Sequence, residues 1–433
     1  MKLKTLLVAI CCAWLPSLSG AQGMMTVDSL FALLEERSEA LRAARSGADV
    51  ARHGVAEAKS SRLPDIGAQL EVSYTGNIVM TDRDFGDAQA FSTPHWGNSL
   101  TLSAQQTIYS GGALSAGVEM AEIALRRAET GVERTRDEER FLAVAQYLEL
   151  MEADNAARVY ESNIALTATL IDDIEAKRRE GMALHNDITR YELQMETLRL
   201  GLRKTRDRRR VLNHRLCTTL HIDTSTVIMP DTTLLALSAD SRESFWQAMA
   251  HDNSPQLADA DLAIATARQQ LRLYQSEMRP TLFAYAADNF SGPYTYDIPP
   301  IDNNFNIWQI GVGIRYSLSS LFKSNKKVRR GRAALCQSEE TRADAAKQVD
   351  NNVNEAHTLY LQAFEDLKTR RKSAQLAREN YEVVNARYLN DLALITDMTD
   401  ASNIRLSAEL DETNARIQIV YAYYRMKYVA GDI

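Results

Sequence analysis

The sequence predicts a mostly α-helical chain with a β-barrel portion, in which long helical hairpins and strands are laid down twice. Three observations carry that prediction. Glycine and proline number only 19 and 9 in 433 residues, and no proline lies between Pro94 and Pro230 or after Pro300, so very long helices are open to the chain. Three segments alternate apolar and polar residues with the period of two that marks a strand, and a fourth does so less cleanly. The same order of elements returns at one spacing: Ser38 aligns with Ser254, Leu41 with Leu257 and Pro64 with Pro280, an offset of 216 (254 − 38) without a gap.

With 45% apolar and 25% charged residues the chain has the composition of a folded protein. Residues 1–21 read as a secretory signal peptide. Lys2 and Lys4 form its positive end, Leu6 to Leu15 its apolar stretch, and Ser19-Gly20-Ala21 a small-residue cleavage site. Without the two lysines the formal charge moves from −7 to −9 (−7 − 2), which argues against nucleic acid as a partner. Cys11 and Cys12 lack the small residues that precede a lipidated cysteine, so no lipid anchor is expected. Cys217 and Cys336 remain available for pairing in an oxidising compartment, although nothing in the sequence brings them together. After the signal no run of 18 apolar residues occurs, so a membrane crossing would require a closed β-barrel.

Residues 22–223 form the first repeat. A helical pattern from Thr26 to Ser61 ends at Leu63-Pro64, and a β-hairpin over about 65–109 follows. Ile66, Ala68, Leu70, Val72 and Tyr74 share one face of its first strand, and Leu100, Leu102, Ala104 and Ile108 one face of its second. Residues 241–433 form the second repeat, with a helix from Ser254 to Arg279 stopped by Pro280 and a hairpin over about 281–318. There Ile310, Val312, Ile314, Tyr316 and Leu318 share a face, while Leu282 to Phe290 alternate poorly. Tyr74, Trp96, Phe283, Tyr285, Phe290, Tyr294, Tyr296, Phe305 and Trp308 crowd these hairpins, as an interfacial girdle of aromatic residues requires. A membrane barrel and a small soluble sandwich with one solvated face both fit at this point.

The hairpins feed the longest tracts. A continuous helix from Ala113 to Glu180 would extend roughly 100 Å at about 1.5 Å per residue, more than a globular domain needs. Leu184, Ile188, Tyr191, Met195, Leu198 and Leu202 repeat at alternating spacings of four and three, a coiled-coil seam. Leu406, Leu410, Ile417, Tyr421, Tyr424 and Tyr428 form a similar stripe. Each repeat therefore holds a helical hairpin, with its tip at 181–187 in the first and 389–397 in the second. Residues 224–240, with Pro230 and Leu234-Leu235, separate the two repeats.

A signal peptide followed twice by a proline-stopped helix, a β-hairpin and a long helical hairpin resembles the outer-membrane efflux protein family, the TolC-like channels, over essentially the whole mature chain. Tyr109-Ser110-Gly111-Gly112 stands where that family turns from strand to helix, and Ser319 to Lys323 takes the place in the second repeat. Gly181 followed by Asp187 resembles the tip of the family's outer hairpin. Tyr388 followed by Asp397-Met398-Thr399-Asp400-Ala401 resembles the inner hairpin that narrows the periplasmic entrance.

The resemblance implies a homotrimer in which four membrane β-strands per protomer close one twelve-stranded barrel, continued by a helical tunnel, an α-barrel. It implies a passive duct joined by a periplasmic adaptor protein to an inner-membrane transporter, set in outer-membrane lipid and without a cofactor. Asp397 and Asp400 would project into the lumen, Tyr388 would help to hold the entrance closed, and the adaptor would dock at the tips around Gly181, Asp187, Asn390 and Asp391. Two departures stand out: Ala393 occupies a place where one branch of the family has an arginine in the closing network, and Asp391 replaces the tip glycine.

Asp397 and Asp400, three apart, share one helix face. Around a threefold axis they would form a ring of about six carboxylates that favours cations and binds a multivalent cation as a plug; an ordinary exposed helix face near a turn is the competing reading. Two basic runs occur, Arg203 to Arg210 and Lys323 to Arg332. The second follows a strand, where anionic head groups or plain solvent would meet it. His214, Cys217 and His221 share a helix face but lack a fourth metal ligand. No nucleophile elbow, phosphate loop or acid–base pair appears, so no enzymatic activity is expected. Besides export of small molecules, the same channel could serve protein or peptide secretion, and a soluble periplasmic coiled-coil scaffold is the rival from another class.

Overall fold

The computed structural model describes residues 24–235, 242–295, 300–390 and 392–433. The signal peptide, Tyr296 and Asp391 lie outside the described residues. In chain order the elements are β1 (Met24–Met25), α1 (Val27–Arg37), α2 (Glu39–Ser60), β2 (Asp65–Tyr74), β3 (Ile78–Met80), β4 (Gln89–Phe91), β5 (Trp96–Tyr109), α3 (Ala113–Arg179), α4 (His185–Thr219) and β6 (Met229–Pro230). A 3-10 turn at Thr232–Leu235 precedes α5 (Glu243–Asn253), α6 (Pro255–Ser276), β7 (Thr281–Gly292), β8 (Phe305–Arg315), α7 (Ser320–Leu389) and α8 (Ile395–Ala430). Helix dominates, and α3 and α7 run unbroken for 67 and 70 residues.

The repeat is visible in the element boundaries. Adding 216 to the bounds of α1 (27–37) and α2 (39–60) gives those of α5 (243–253) and α6 (255–276). The expected single helix from Thr26 to Ser61 is instead two, broken at Ser38, and Ser254 makes the same break in the second repeat. Both serines leave helical geometry, with ψ of 125° and 117°. Pro255 drives Ser254 out of the α region by crowding it. Ser38 has no such neighbour. Its side chain is buried at 1% exposure and its Oγ donates to Glu139 Oε2 at 3.4 Å, so a tertiary contact holds that bend.

Two compact units are present, and each draws on both sequence halves. The first contains the described residues up to Ala40 together with Arg136–Ala248 and Asn352–Ile433. Its core gathers Leu30 and Leu34 of α1, Val144, Tyr147, Leu150 and Met151 of α3, Leu216 and Leu220 of α4, Ile228, and Ile417 and Val420 of α8. Tyr147 ties the inter-repeat segment to the N-terminal strap: its hydroxyl donates to Met25 O at 2.5 Å and accepts from the Asp231 amide at 2.6 Å. There β1 pairs in parallel with β6. Cys217 and Cys336 are both free thiols.

The second unit, Leu41–Thr135 with Met249–Asn351, carries a four-stranded antiparallel sheet in the order β2-β5-β7-β8. At the strand-to-helix turn, Gly111 has φ of +67°, and a Cβ there would lie 2.8 Å from Ser276 O, so only glycine fits. Arg279 closes the turn by donating to Gly111 O at 3.1 Å. On the outer flanks, Arg127 grips Asp259 through two hydrogen bonds of 2.8 and 3.0 Å.

Residues directly opposite each other in an antiparallel pair share a face, so the register assigns every side chain of the sheet. One face carries Ile66, Leu70, Val72, Leu100, Leu102, Ala286, Ile310, Val312 and Ile314; the other is mainly polar, with Gln69, Glu71, Ser73, Ser99, Thr101, Ser103, Asn289 and Gln309, and also carries Phe305 and Ile307 at one end of β8. The apolar face is bare: Ile66 is 77% and Ile310 76% exposed. Three sequence expectations change. β8 ends at Arg315, leaving Tyr316 and Leu318 beyond the strand. Phe283 and Tyr285 belong to the polar face, opposite Gly313 and Gly311, where their rings cover the missing side chains. The poor alternation of β7 is explained by Asp288, which lies on the apolar face between Leu102 and Trp308. A small hairpin, β3 with β4, sits within the first loop and had no recognised sequence signal.

Candidate functional site

The two helical-hairpin tips lie in the first unit and are built by one local device. α3 ends at Arg179, and Gly181, with φ of +81°, reverses the chain. The amides of Gly181 and Met182 donate to Arg178 O and Lys177 O, each at 3.0 Å. α4 then starts after Leu184, whose amide donates to Asp187 Oδ2 at 3.1 Å, while the Asp187 amide donates back to Leu184 O at 3.1 Å. At the second tip the Leu392 amide donates to Arg387 O at 2.8 Å, and the Leu394 amide to Asp397 Oδ2 at 3.0 Å. The shared Ala-Leu-x-x-Asp pattern, Ala183 to Asp187 and Ala393 to Asp397, encodes both caps.

This geometry gives the aspartates distinct places. Asp187 and Asp397 stand at the third position of their helices, each spending one carboxylate oxygen on the amide of the N-cap residue, Leu184 or Leu394. Asp397 and Asp400 are both exposed, on the first turns of α8. Asn390 is exposed and its side chain donates to Ala386 O at 2.7 Å, finishing α7.

Tyr388 is not at the surface. It is 8% exposed and packs with Leu170 and Ile174 of α3, Ile188 and Tyr191 of α4, and Met398 of α8. Burial, reinforced by the neighbouring Tyr388 and Tyr381, pushes the Tyr191 phenol well above its ordinary value. The structure therefore brings Tyr388 together with residues of the other hairpin and with Met398, which lies between Asp397 and Asp400 in the chain. The link includes Lys177, one of three cations in the last turn of α3. Its Nζ donates to Tyr388 O at 3.3 Å and to Leu389 O, and lies 5.8 Å from the Tyr388 ring. A cation from the first hairpin thus caps the last carbonyls of α7.

Further along the same helices, an ionic bolt joins α7 to α8. Arg378 donates to Glu409 Oε1 at 3.1 Å and Glu412 Oε2 at 3.0 Å. Arg405 reaches Glu409 at 3.0 Å, Arg416 reaches Glu412 at 2.8 Å, and Asn163 of α3 donates to Glu409 Oε2 at 3.1 Å. Burial pushes the Glu412 carboxyl up, but hydrogen bonds from Arg416 and Arg378 outweigh it and hold the group below its usual range. The spacing of four in Arg405–Glu409 and Glu412–Arg416 was the only trace of this network in the sequence. Among the described residues no group of three or more His, Cys, Asp or Glu side chains could hold a metal ion. No described helix is long and apolar enough to cross a membrane.

Comparison with known proteins follows the same lines. Residues 246–432 match the family model described as outer membrane efflux protein. No curated protein sequence matches the chain. The fold is similar to that of the outer membrane protein VceC from Vibrio cholerae, with a TM-score of 0.77 at 14% identity over 94% of this chain and 96% of that one. It is also similar to the outer-membrane channel OprN, with a TM-score of 0.78 at 15% identity over 94% and 90% of the two chains. The open state of the MtrE outer membrane channel of Neisseria gonorrhoeae gives a TM-score of 0.73 at 13% identity over 94% and 88%.

Proposed function

We propose that this chain, whose residues 246–432 belong to the outer membrane efflux protein family and whose fold is that of outer-membrane channels, is the export duct of a tripartite efflux pump. In this reading three copies close a twelve-stranded barrel, each giving the four strands β2, β5, β7 and β8. The observation that carries it is the sheet. Its outer strands β2 and β8 each have one unpaired edge among the described residues, and its apolar face is exposed while its other face is mainly polar. Soluble proteins avoid open edges beside large bare apolar faces. A closed barrel in the outer membrane removes both liabilities, with the apolar face toward lipid and the polar face toward the lumen.

The helical hairpins then extend into the periplasm. The duct is passive, with energy supplied by an inner-membrane transporter through a periplasmic adaptor, whose hairpins seat at the tips around Gly181, Asp187, Asn390 and Asp391. Asp397 and Asp400 ring the entrance and favour cations. Tyr388 holds the entrance closed from within its own protomer, where Lys177 and the first hairpin pin it.

Planar-bilayer recording of detergent-extracted protein tests the proposal. Discrete, cation-selective openings support it. A protein that leaves washed membranes without detergent and conducts nothing would be a periplasmic scaffold, and the duct would be refuted.

A further inference from the structure

The first three turns of α7 are asymmetric in a way the barrel does not require. Ser324, Val328 and Gly331 are buried and define the packed side of the helix. Phe322, Lys326 and Arg329, at i, i+4 and i+7, lie on the opposite side, and Phe322 is 78% exposed. Lys323 and Arg332 flank this stripe, and Lys323, Lys326, Arg329 and Arg332 make no ion pair among the described residues. Lys327 and Arg330 are spoken for, by Glu277 at 2.8 Å and by Tyr274. Between Phe322 and Arg332 the chain has six cations and no carboxylate, within a protein of net charge −7. The matching stretch of the first repeat, Ala113 to Leu125, has no cation and two glutamates, so the strand-to-helix turn itself does not call for the charge.

Position along the helix gives the cations a target. α7 begins five residues after β8 leaves the sheet (320 − 315), at the end of the apolar face where Tyr109 and Tyr316 are also exposed. Lys326 lies about 6 Å and Arg329 about 10 Å beyond Phe322 along the helix axis, at about 1.5 Å per residue. The head-group layer on each side of a bilayer is roughly 5–7 Å thick, from a hydrocarbon core of about 30 Å within a total of about 40–45 Å. A phenylalanine at the hydrocarbon boundary therefore sets Lys326 at the phosphates and Arg329 just below them.

We propose that Phe322, Lys323, Lys326 and Arg329 form a binding site for anionic phospholipid of the periplasmic leaflet, with the ring at the acyl boundary and the cations on the phosphodiester. The proposal rests on the outer-membrane reading above. It gives that reading a lipid-selective collar, repeated once per protomer, that fixes the height of the barrel in the bilayer.

The test uses the full-length trimer reconstituted into phosphatidylcholine with 20% phosphatidylglycerol. Spin-labelled phosphatidylglycerol and phosphatidylcholine report the relative affinity of the first lipid shell, and quenching of Trp308 by brominated acyl chains reports insertion. The expected result is a preference for phosphatidylglycerol of at least about fivefold at low salt and at most about a hundredfold, since each of the three cations near an anionic surface contributes up to roughly fivefold, about 1 kcal/mol. The preference should fall toward unity in K323Q/K326Q/R329Q and in high salt, and persist in R203Q/K204Q, whose charges lie on α4. Equal affinity for the two lipids with Trp308 quenched overturns the lipid site and leaves the duct standing. Absence of Trp308 quenching overturns the membrane placement of the sheet, and the site with it.

Discussion

Replacing Lys177 with methionine keeps the length of the side chain and removes only its charge and its donors. In the wild type, Nζ donates to two carbonyls at the end of α7, Tyr388 O at 3.3 Å and Leu389 O, and stands 5.8 Å from the Tyr388 ring. Hydrogen bonds from a charged donor contribute roughly 1.5–3 kcal/mol, and an exposed cation–π contact about 0.5–1 kcal/mol. The lysine is only half-buried, and helix-end carbonyls released from it regain water, so the net loss should be about 1–2 kcal/mol. That is roughly a tenfold change in a local equilibrium at about 1.4 kcal/mol per decade. Native-state hydrogen exchange should show it at Asn390 and Leu392, whose amides donate to Arg387 O within this cap, with exchange about tenfold faster in K177M. Under the proposed role of Tyr388 at the entrance, the open probability of the same variant in planar bilayers should rise, because Tyr388 loses its tie to the first hairpin. Unchanged exchange at both amides would refute the energetic assignment; faster exchange with unchanged gating would confine Lys177 to a local cap.

Three further outcomes follow from the site. The double variant D397N/D400N should lose cation selectivity and divalent block in bilayers while folding normally, because an asparagine oxygen still accepts from the Leu394 amide; retained selectivity would remove these residues from the pore. E412Q should cost about 1–3 kcal/mol by urea unfolding at neutral pH, since it strips two charge-assisted bonds from a buried group. Because the Glu412 carboxyl titrates below its unfolded value, its contribution is present above about pH 4.3 and is lost as pH falls through the folded value, so the variant's acid limb should be flatter. Tyr147 is pushed up to about 12 by burial, so its contribution is full below about pH 10 and declines between there and 12. Y147F should lower the melting temperature at pH 8 by removing the hydroxyl's bonds to Met25 O and from the Asp231 amide, and should lose that alkaline dependence.

The architecture was legible because periodicity and punctuation are local properties. Alternation in Ile66 to Tyr74, proline stops at Pro64 and Pro280, and long tracts without proline need no knowledge of distant contacts, and the offset of 216 made each half a check on the other. The tip turns were equally readable, since Gly181 supplies the left-handed backbone that a reversal needs. Spacing could not say what a side chain meets. Asp397 and Asp400 share a helix face by arithmetic, yet only the fold engages Asp397 with the Leu394 amide. Phe283 and Tyr285 look like girdle residues until the register sets them over Gly313 and Gly311. The bend at Ser38, the Lys177 cap and the Arg378 bolt join residues 101, 211 and 31 or more positions apart. Such contacts depend on how helices pack, whereas strand and helix periods are fixed by the backbone of each segment. The sequence by itself determined which segments are helix and strand; the tertiary structure decided which polar groups are spent on holding them.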